Sequence, residues 1–176
     1  MAIWLETTLK DLHDAAVGAF PSTNRRQHST DPIRIEGLRW IPFRGMGTLF
    51  VKALVNNEGS KNESIILFKG VKYREDSALG SVPVVASNGP RINIDRLSFS
   101  RTDALVRCTC GDFRWRFSHW NREDGSLYGR GSRKYEAKFR PGSSNPEESP
   151  GMCKHLMKMA KILLESGVLA SGPGSN

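Results

Sequence analysis

The chain has 176 residues, of which 38% are hydrophobic and 25% are charged, a composition typical of a globular protein. No uninterrupted apolar run approaches the roughly 18 residues that a membrane-spanning helix needs, so a helix of that kind is excluded. Lysine and arginine outnumber the acidic residues by 26 to 18, and the net charge of +8 favours an acidic partner, with nucleic acid as the first candidate.

The three cysteines are an odd number, so they cannot all pair into disulfides. Residues 1–6 lack the basic stretch that opens a secretory signal. Both observations predict a protein that is made in a reducing cytoplasm and does not associate with a membrane.

Residues 1–20 are predicted to form an N-terminal helix, with its regular part at residues 3–17. Its apolar residues recur at the three- and four-residue steps of one helix face: Leu5, Leu9, Leu12 and Ala16. Gly18 and Pro21 are expected to end the helix. The apolar face could pack on its own chain or dock on a partner, and the first is favoured. Residues 21–32 follow as a polar connector.

Residues 33–103 change to short apolar runs broken by turn residues, which is typical of β-strands. The candidate strands that begin here or just beyond are residues 33–43, 48–55, 64–73, 82–86, 91–99 and 104–110. No helix of about ten residues fits between them, so parallel crossovers are not expected. The region predicts an antiparallel sheet of about five to six strands.

The end of the chain returns to helix. Ser149 suits the N-cap, Pro150 the first helical position and Gly167 the end. One face of this helix is apolar: Leu156, Met159, Ala160 and Leu163. A tail rich in glycine and serine occupies residues 169–176. The prediction is therefore an α+β fold in one compact domain, with an N-terminal helix, an antiparallel sheet and a C-terminal helix.

All three cysteines lie in two short clusters, and a histidine completes the second. Cys108 and Cys110 end a predicted strand, whereas Cys153 and His155 stand at the start of the last helix. Thiolate sulfur and imidazole nitrogen are ligands that zinc prefers, and four of them complete a tetrahedron. The pattern predicts one structural Zn²⁺ ion bound by these four residues.

The spacing within each pair has a geometric reason. Residues two apart in a strand face the same side, so Cys108 and Cys110 can reach one ion, with Gly111 allowing a bend. Residues two apart in a helix differ by about 200°. Cys153 is therefore expected at or before the first turn, with His155 just inside it, where the helix dipole favours a thiolate.

Two alternatives to a structural zinc site stay open at this point. The cysteines could be buried side chains without a metal, although chance rarely leaves every cysteine within two residues of another ligand. A catalytic zinc would need three protein ligands and an open fourth position, whereas these four residues fill every position. The pattern favours structural zinc.

The arrangement Cys108-x-Cys110 … Cys153-x-His155, with a helix after the last ligand, resembles the SWIM-type zinc finger. The resemblance covers about residues 104–166 and assigns the same four residues as zinc ligands. It implies binding to DNA or to protein partners. The 42 residues between the two pairs (111–152) are more than is usual in that family.

The long insert lies within a module predicted at residues 104–168. Its ends lie within CGDFRWRF at residues 110–117 and within NPEESPGMCKHL at residues 145–156. With this insert, the module resembles small SWIM-like proteins of tailed bacteriophages, some of which are virion components.

Basic and aromatic residues alternate in residues 114–140. Eight cations against three acids could contact phosphate or an acidic protein: Arg114, Arg116, Arg122, Arg130, Arg133, Lys134, Lys138 and Arg140. The aromatic residues could stack on bases or pack in the core. Phe113, Trp115 and Phe117 alternate with arginines as in a half-buried strand, which favours the core.

The sequence contains no recognisable catalytic motif, so we expect a non-enzymatic protein without a small-molecule substrate. The leading hypothesis is a bacteriophage virion structural component (capsid, neck or tail accessory) that docks on other virion structural proteins. The alternative is a SWIM-type accessory module that binds DNA or RNA through the basic insert.

Overall fold

The structure, a computed structural model, describes residues 6–21, 33–57, 59–131 and 145–172. Its α-helices are α1 (Leu9–Ala19), α2 (Ser118–Asp124) and α3 (Lys154–Glu165); a 3₁₀ turn occupies Arg44–Met46 and a π-helix occupies Phe113–Phe117. Its strands are β1 (Arg34–Phe43), β2 (Thr48–Asn57), β3 (Ser60–Phe68), β4 (Tyr73–Arg74), β5 (Ser81–Val85), β6 (Arg91–Asp95), β7 (Leu97–Ser98), β8 (Ala104–Cys108) and β9 (Leu169–Ala170). This is an α+β fold, as predicted.

The main sheet is antiparallel, with the strand order β1-β2-β3-β8. Its buried face carries Val51, Ile66 and Val106 in one register row, and all three are fully buried. Helix α3 packs against β3 and β8. Apolar residues from both terminal helices and from the sheets join in one continuous core.

Two predicted strands are each divided in the structure. The run at residues 64–73 breaks at Gly70, whose φ of 64° is left-handed, and the run at residues 91–99 breaks at Arg96. The later pieces enter other sheets: β4, β6 and β5 form a small antiparallel sheet, and β7 pairs in parallel with β9. The parallel pair was not predicted, because β9 lies in residues 169–176, which the sequence predicts to be a tail. The chain passes through α2 and α3 between β7 and β9, which is the long connection that parallel strands need.

Helix α1 begins later than predicted because Thr8 caps it. The Thr8 side chain accepts from the Asp11 backbone N–H and the Asp11 side chain accepts from the Thr8 N–H, so the cap is a reciprocal capping box. Residues 3–5 and the connector at 22–32 lie outside the described residues. The predicted apolar face is confirmed at Leu9, Leu12 and Ala16, which are buried.

Helix α3 also begins later than predicted. Its N-cap is Cys153, with an extended backbone at φ −78° and ψ 169°, so the assignment of Ser149 as N-cap and Pro150 as first helical residue is wrong. The reason is tertiary, because hydrogen bonds from other parts of the chain hold residues 149–151 before the helix starts. The apolar face of Leu156, Met159, Ala160 and Leu163 is confirmed as buried.

The start of the insert is helical, so the predicted strand at residues 113–117 is wrong. Residues 111–124 form one helical segment whose middle is the π-helix, and the Ser118 N–H donates to the Phe113 carbonyl five residues back. Phe113 and Phe117, one helical turn apart, are buried, whereas Trp115 is 46% exposed. No helix in the described part of the chain is long and apolar enough to cross a lipid bilayer.

Candidate metal centre

Cys108 and Cys110 approach the candidate site from the end of a strand. Cys108 is the last residue of β8, and Cys110 lies two residues on, immediately before the helical segment that begins at Gly111. Both side chains are buried. The chain bends at Cys110, after β8 ends at Cys108, and Gly111 already belongs to the helical segment, so the bend lies one residue before the expected Gly111.

Cys153 and His155 approach the site from the start of α3. Cys153 is the N-cap, and His155 is the second residue of the helix. The expectation that this pair straddles the first turn is confirmed. Both are almost fully buried, with exposures of 1% for Cys153 and 4% for His155.

The structure brings all four predicted ligands together. Their donor atoms lie within 4.8 Å of one another, and Cys108 Sγ lies 3.7 Å from His155 Nδ1. Zinc bond lengths and tetrahedral angles place a sulfur and a nitrogen ligand about 3.6 Å apart. The compact Cys₃His cluster therefore fits one metal ion and is compatible with a zinc finger.

Hydrogen bonds and helix ends make the cluster favourable for thiolates. The Ser64 hydroxyl donates to Cys108 Sγ at 3.3 Å, and the Phe113 N–H donates to Cys110 Sγ at 3.3 Å. Cys110 and Cys153 also stand at the N-terminal ends of helices, where the helix dipole stabilises negative charge. Three thiolates beside a divalent cation would thus be stabilised from several directions.

The ionisation of the thiols is uneven. Hydrogen bonds from Cys110 and Cys153 lower the pKa of Cys108 well below its ordinary value, which favours the thiolate at this position. Burial raises the pKa of Cys153 well above its ordinary value. A divalent cation has to replace the proton of Cys153, so metal binding releases protons.

The orientation of His155 indicates which nitrogen would bind the metal. Its Nδ1 faces the cysteine sulfurs, whereas Nε2 is buried and has no hydrogen-bond partner among the described residues. Nδ1 is the nitrogen placed to coordinate an ion.

Two buried asparagines join the ends of the insert. The Asn121 side chain donates to the Gly151 carbonyl at 2.9 Å and accepts from the Gly151 N–H at 2.8 Å. Asn145 donates to the carbonyls of Arg116 and Ser149 at 3.0 and 2.8 Å. These bonds hold the chain just before Cys153 against the helical segment that follows Cys110.

The basic residues of the insert do not form one group in the described part of the chain. Arg116 is only 9% exposed; it pairs with Asp112 at 2.6 Å and lies over the Phe20 ring. Arg122 pairs with Glu123 at 2.9 Å, and Arg114 lies over the Trp115 ring. The Arg130 side chain is exposed. The remaining predicted contacts lie outside the described residues: Arg133, Lys134, Lys138 and Arg140.

Sequence reasoning did not identify Ser64, Asn121 or Asn145. Ser64 faces Cys108 only through the register of β3 with β8, and the two asparagines act across 29 or 30 residues. Their identities as small polar residues carry no signal of these contacts. A predicted strand register could have indicated Ser64 alone.

Comparison with models of known protein families, with curated proteins and with solved structures finds no match to this chain. The class of protein is defined by the fold and by the four clustered donors: it is an α+β protein with a candidate metal centre.

Replacing Gly151 by alanine is expected to destabilise the fold. The added Cβ would lie 2.7 Å from Phe117 Cε1 and 3.0 Å from the Ala16 Cβ, and both neighbours are buried in the core. We expect a loss of about 1–3 kcal/mol in the free energy of unfolding, measured in urea. The control is Gly18→Ala in α1, where nothing lies within 4 Å and alanine favours the helix. Equal stability of the two variants would contradict this packing.

Proposed function

We propose that Cys108, Cys110, Cys153 and His155 bind one Zn²⁺ ion as a closed structural site of the SWIM type. The observation that carries the proposal is the convergence of these four buried donors within 4.8 Å. Four protein ligands complete the tetrahedral shell of zinc and leave no position for a substrate. The ion would supply cohesion and no chemistry.

The proposed role of the ion is to join the two halves of the module. It would bind the end of β8 and the start of α3, which are separated in sequence by the whole insert. Helix α3 packs on β3 and β8, so the same ion would hold this helix on the sheet. A rigid surface made of the sheet and the insert could then be presented to a partner.

We further propose that the protein is non-enzymatic and docks on other structural proteins of a bacteriophage virion. The support for this step is the resemblance of residues 104–166 to SWIM-like phage proteins, together with a site suited to structural zinc. Binding of DNA or RNA through the insert has less support, because Arg116 is buried and Arg122 is paired with Glu123.

Elemental analysis of freshly purified, unchelated protein is expected to give one zinc ion per chain. Removing the ion with a chelator should lower the melting temperature, because a ligand at about 100 times its Kd stabilises the folded state by about 2.7 kcal/mol. Protein without metal, or with a melting temperature unchanged by chelation, would refute the proposed zinc site.

Cys153→Ser is expected to abolish stoichiometric zinc binding and to loosen α3, because a serine hydroxyl does not provide the thiolate ligand. Hydrogen exchange should report lower protection of the α3 amides. The matched control is Lys154→Ala, which changes the residue between the two ligands without removing a donor. If both variants kept zinc and equal protection, the four-ligand assignment would be wrong.

Mass spectrometry of intact, purified phage particles is the test of the virion proposal. The protein should be present with the other structural proteins and stay with the particle through washing at high salt. A protein that is made during infection yet missing from mature particles would refute this role while leaving the zinc site untouched.

A further inference from the structure

The face of the main sheet that points away from the core carries a row of cations. Arg39 pairs in register with Lys52, Lys52 with Ile65, and Ile65 with Arg107. The cations thus occupy this row on three of the four strands, and the buried Ile65 lies between Lys52 and Arg107. With strands about 4.8 Å apart, the row spans roughly 14 Å. Arg39 is exposed, and neither it nor Lys52 forms an ion pair within the described part of the chain.

Arg107 is held in place at one end of this cation row. Its Nη1 donates to the carbonyls of Tyr128 and Arg130 at 3.0 and 2.9 Å. A guanidinium has five donors in a fixed fork, so this anchoring leaves Nε and Nη2 to bind an anion. The charge is therefore placed in advance rather than carried on a flexible stem.

An apolar and aromatic row lies directly beside the cations. The adjacent register row is Ile41, Phe50, Leu67 and Leu105, of which Leu67 is buried and the other three are half-buried. The Phe50 ring contacts the rings of Phe43 and Tyr128, each edge-to-face with centroids 5.2 Å apart. Phe43 is 44% exposed. Aromatic surface and positive charge thus stand side by side on one face.

The charge of this face is unbalanced. The outward positions and the β1 bulge hold five cations and two carboxylates: Arg34, Arg39, Lys52, Lys61 and Arg107 against Glu36 and Glu63. Glu36 is already paired with Lys61 at 3.0 Å. A partner that complements this face carries negative charge beside flat apolar groups.

We propose that this outward face binds single-stranded nucleic acid without regard to sequence. Phosphates would lie along Arg39, Lys52 and Arg107, and unstacked bases would contact Phe43, Phe50 and Tyr128. A single strand of nucleic acid offers alternating phosphates and flat bases, which match the cation row and the aromatic row beside it. A duplex hides its base faces and an acidic protein offers mainly carboxylates, so each would use the cations alone. The inference does not depend on the basic side chains of the insert, although the backbone of residues 128–130 positions Arg107.

The test is fluorescence anisotropy with a labelled single-stranded DNA of about 20 nucleotides, titrated at several salt concentrations. Arg39→Gln combined with Lys52→Gln should weaken binding roughly tenfold and lower the salt slope by about 1.4, the value for two phosphate contacts on a single strand. Phe43→Ala should weaken binding about fivefold or more and leave the salt slope unchanged.

The matched control is Lys158→Gln combined with Lys161→Gln on α3, which removes the same charge from an element that packs on the opposite face of the sheet. It should bind as the unaltered protein does. The proposal is overturned if this control weakens binding as much as the sheet variant. It is equally overturned if duplex DNA or polyglutamate competes as well as the single strand, or if no binding occurs at about 50 mM salt.

Zinc content and melting temperature, measured on every variant, separate this inference from the proposed zinc function. Arg39, Lys52 and Phe43 lie on the face of the sheet opposite the buried cluster, so their variants should keep one zinc ion per chain. Loss of nucleic-acid binding with zinc retained supports the sheet surface. If zinc-free Cys153→Ser protein bound the single strand normally, the proposed nucleic-acid surface would stand. The proposal that the metal site is needed to present a binding surface would then be refuted.

Discussion

The fold is organised around the meeting of three sulfurs and one imidazole nitrogen within 4.8 Å in the protein interior. Ionised, buried sulfurs repel one another and resist loss of water, so such a cluster is favourable only when donors and positive charge surround it. The Ser64 hydroxyl, the Phe113 N–H and two helix N-termini supply part of that stabilisation. A divalent cation would supply the rest, which is why the geometry points to a metal.

The sequence predicted the strands better than the helix boundaries. Period-two alternation in a half-buried sheet is read directly from β2, whose residues alternate between buried and more exposed. The start of α3 is set by a tertiary contact instead: the Asn121 amide binds Gly151 and delays α3 until Cys153. The alternation of Phe113, Trp115 and Phe117 fits a strand, yet Phe113 and Phe117 also lie one helical turn apart. The local sequence pattern could not decide between the two-residue period of a strand and the period of about 3.6 residues of a helix.

The four candidate ligands could be identified from sequence because metal chemistry leaves a local signature of residue type and spacing. The groups around them could not, since a serine or asparagine has many common roles. The cation row on the sheet was equally invisible: Arg39, Lys52 and Arg107 are far apart in sequence, and only the strand register aligns them. By contrast, the basic insert was conspicuous in the sequence, yet its Arg116 packs against Phe20 inside the protein.

The Asn121–Gly151 bonds have an architectural consequence. Both bonds go to backbone atoms of Gly151, so they fix the path of the chain two residues before Cys153. The approach of this ligand to the cluster is thus set by a buried side chain that needs no ion. A site whose donors are held in place beforehand binds its ion with a smaller loss of conformational freedom.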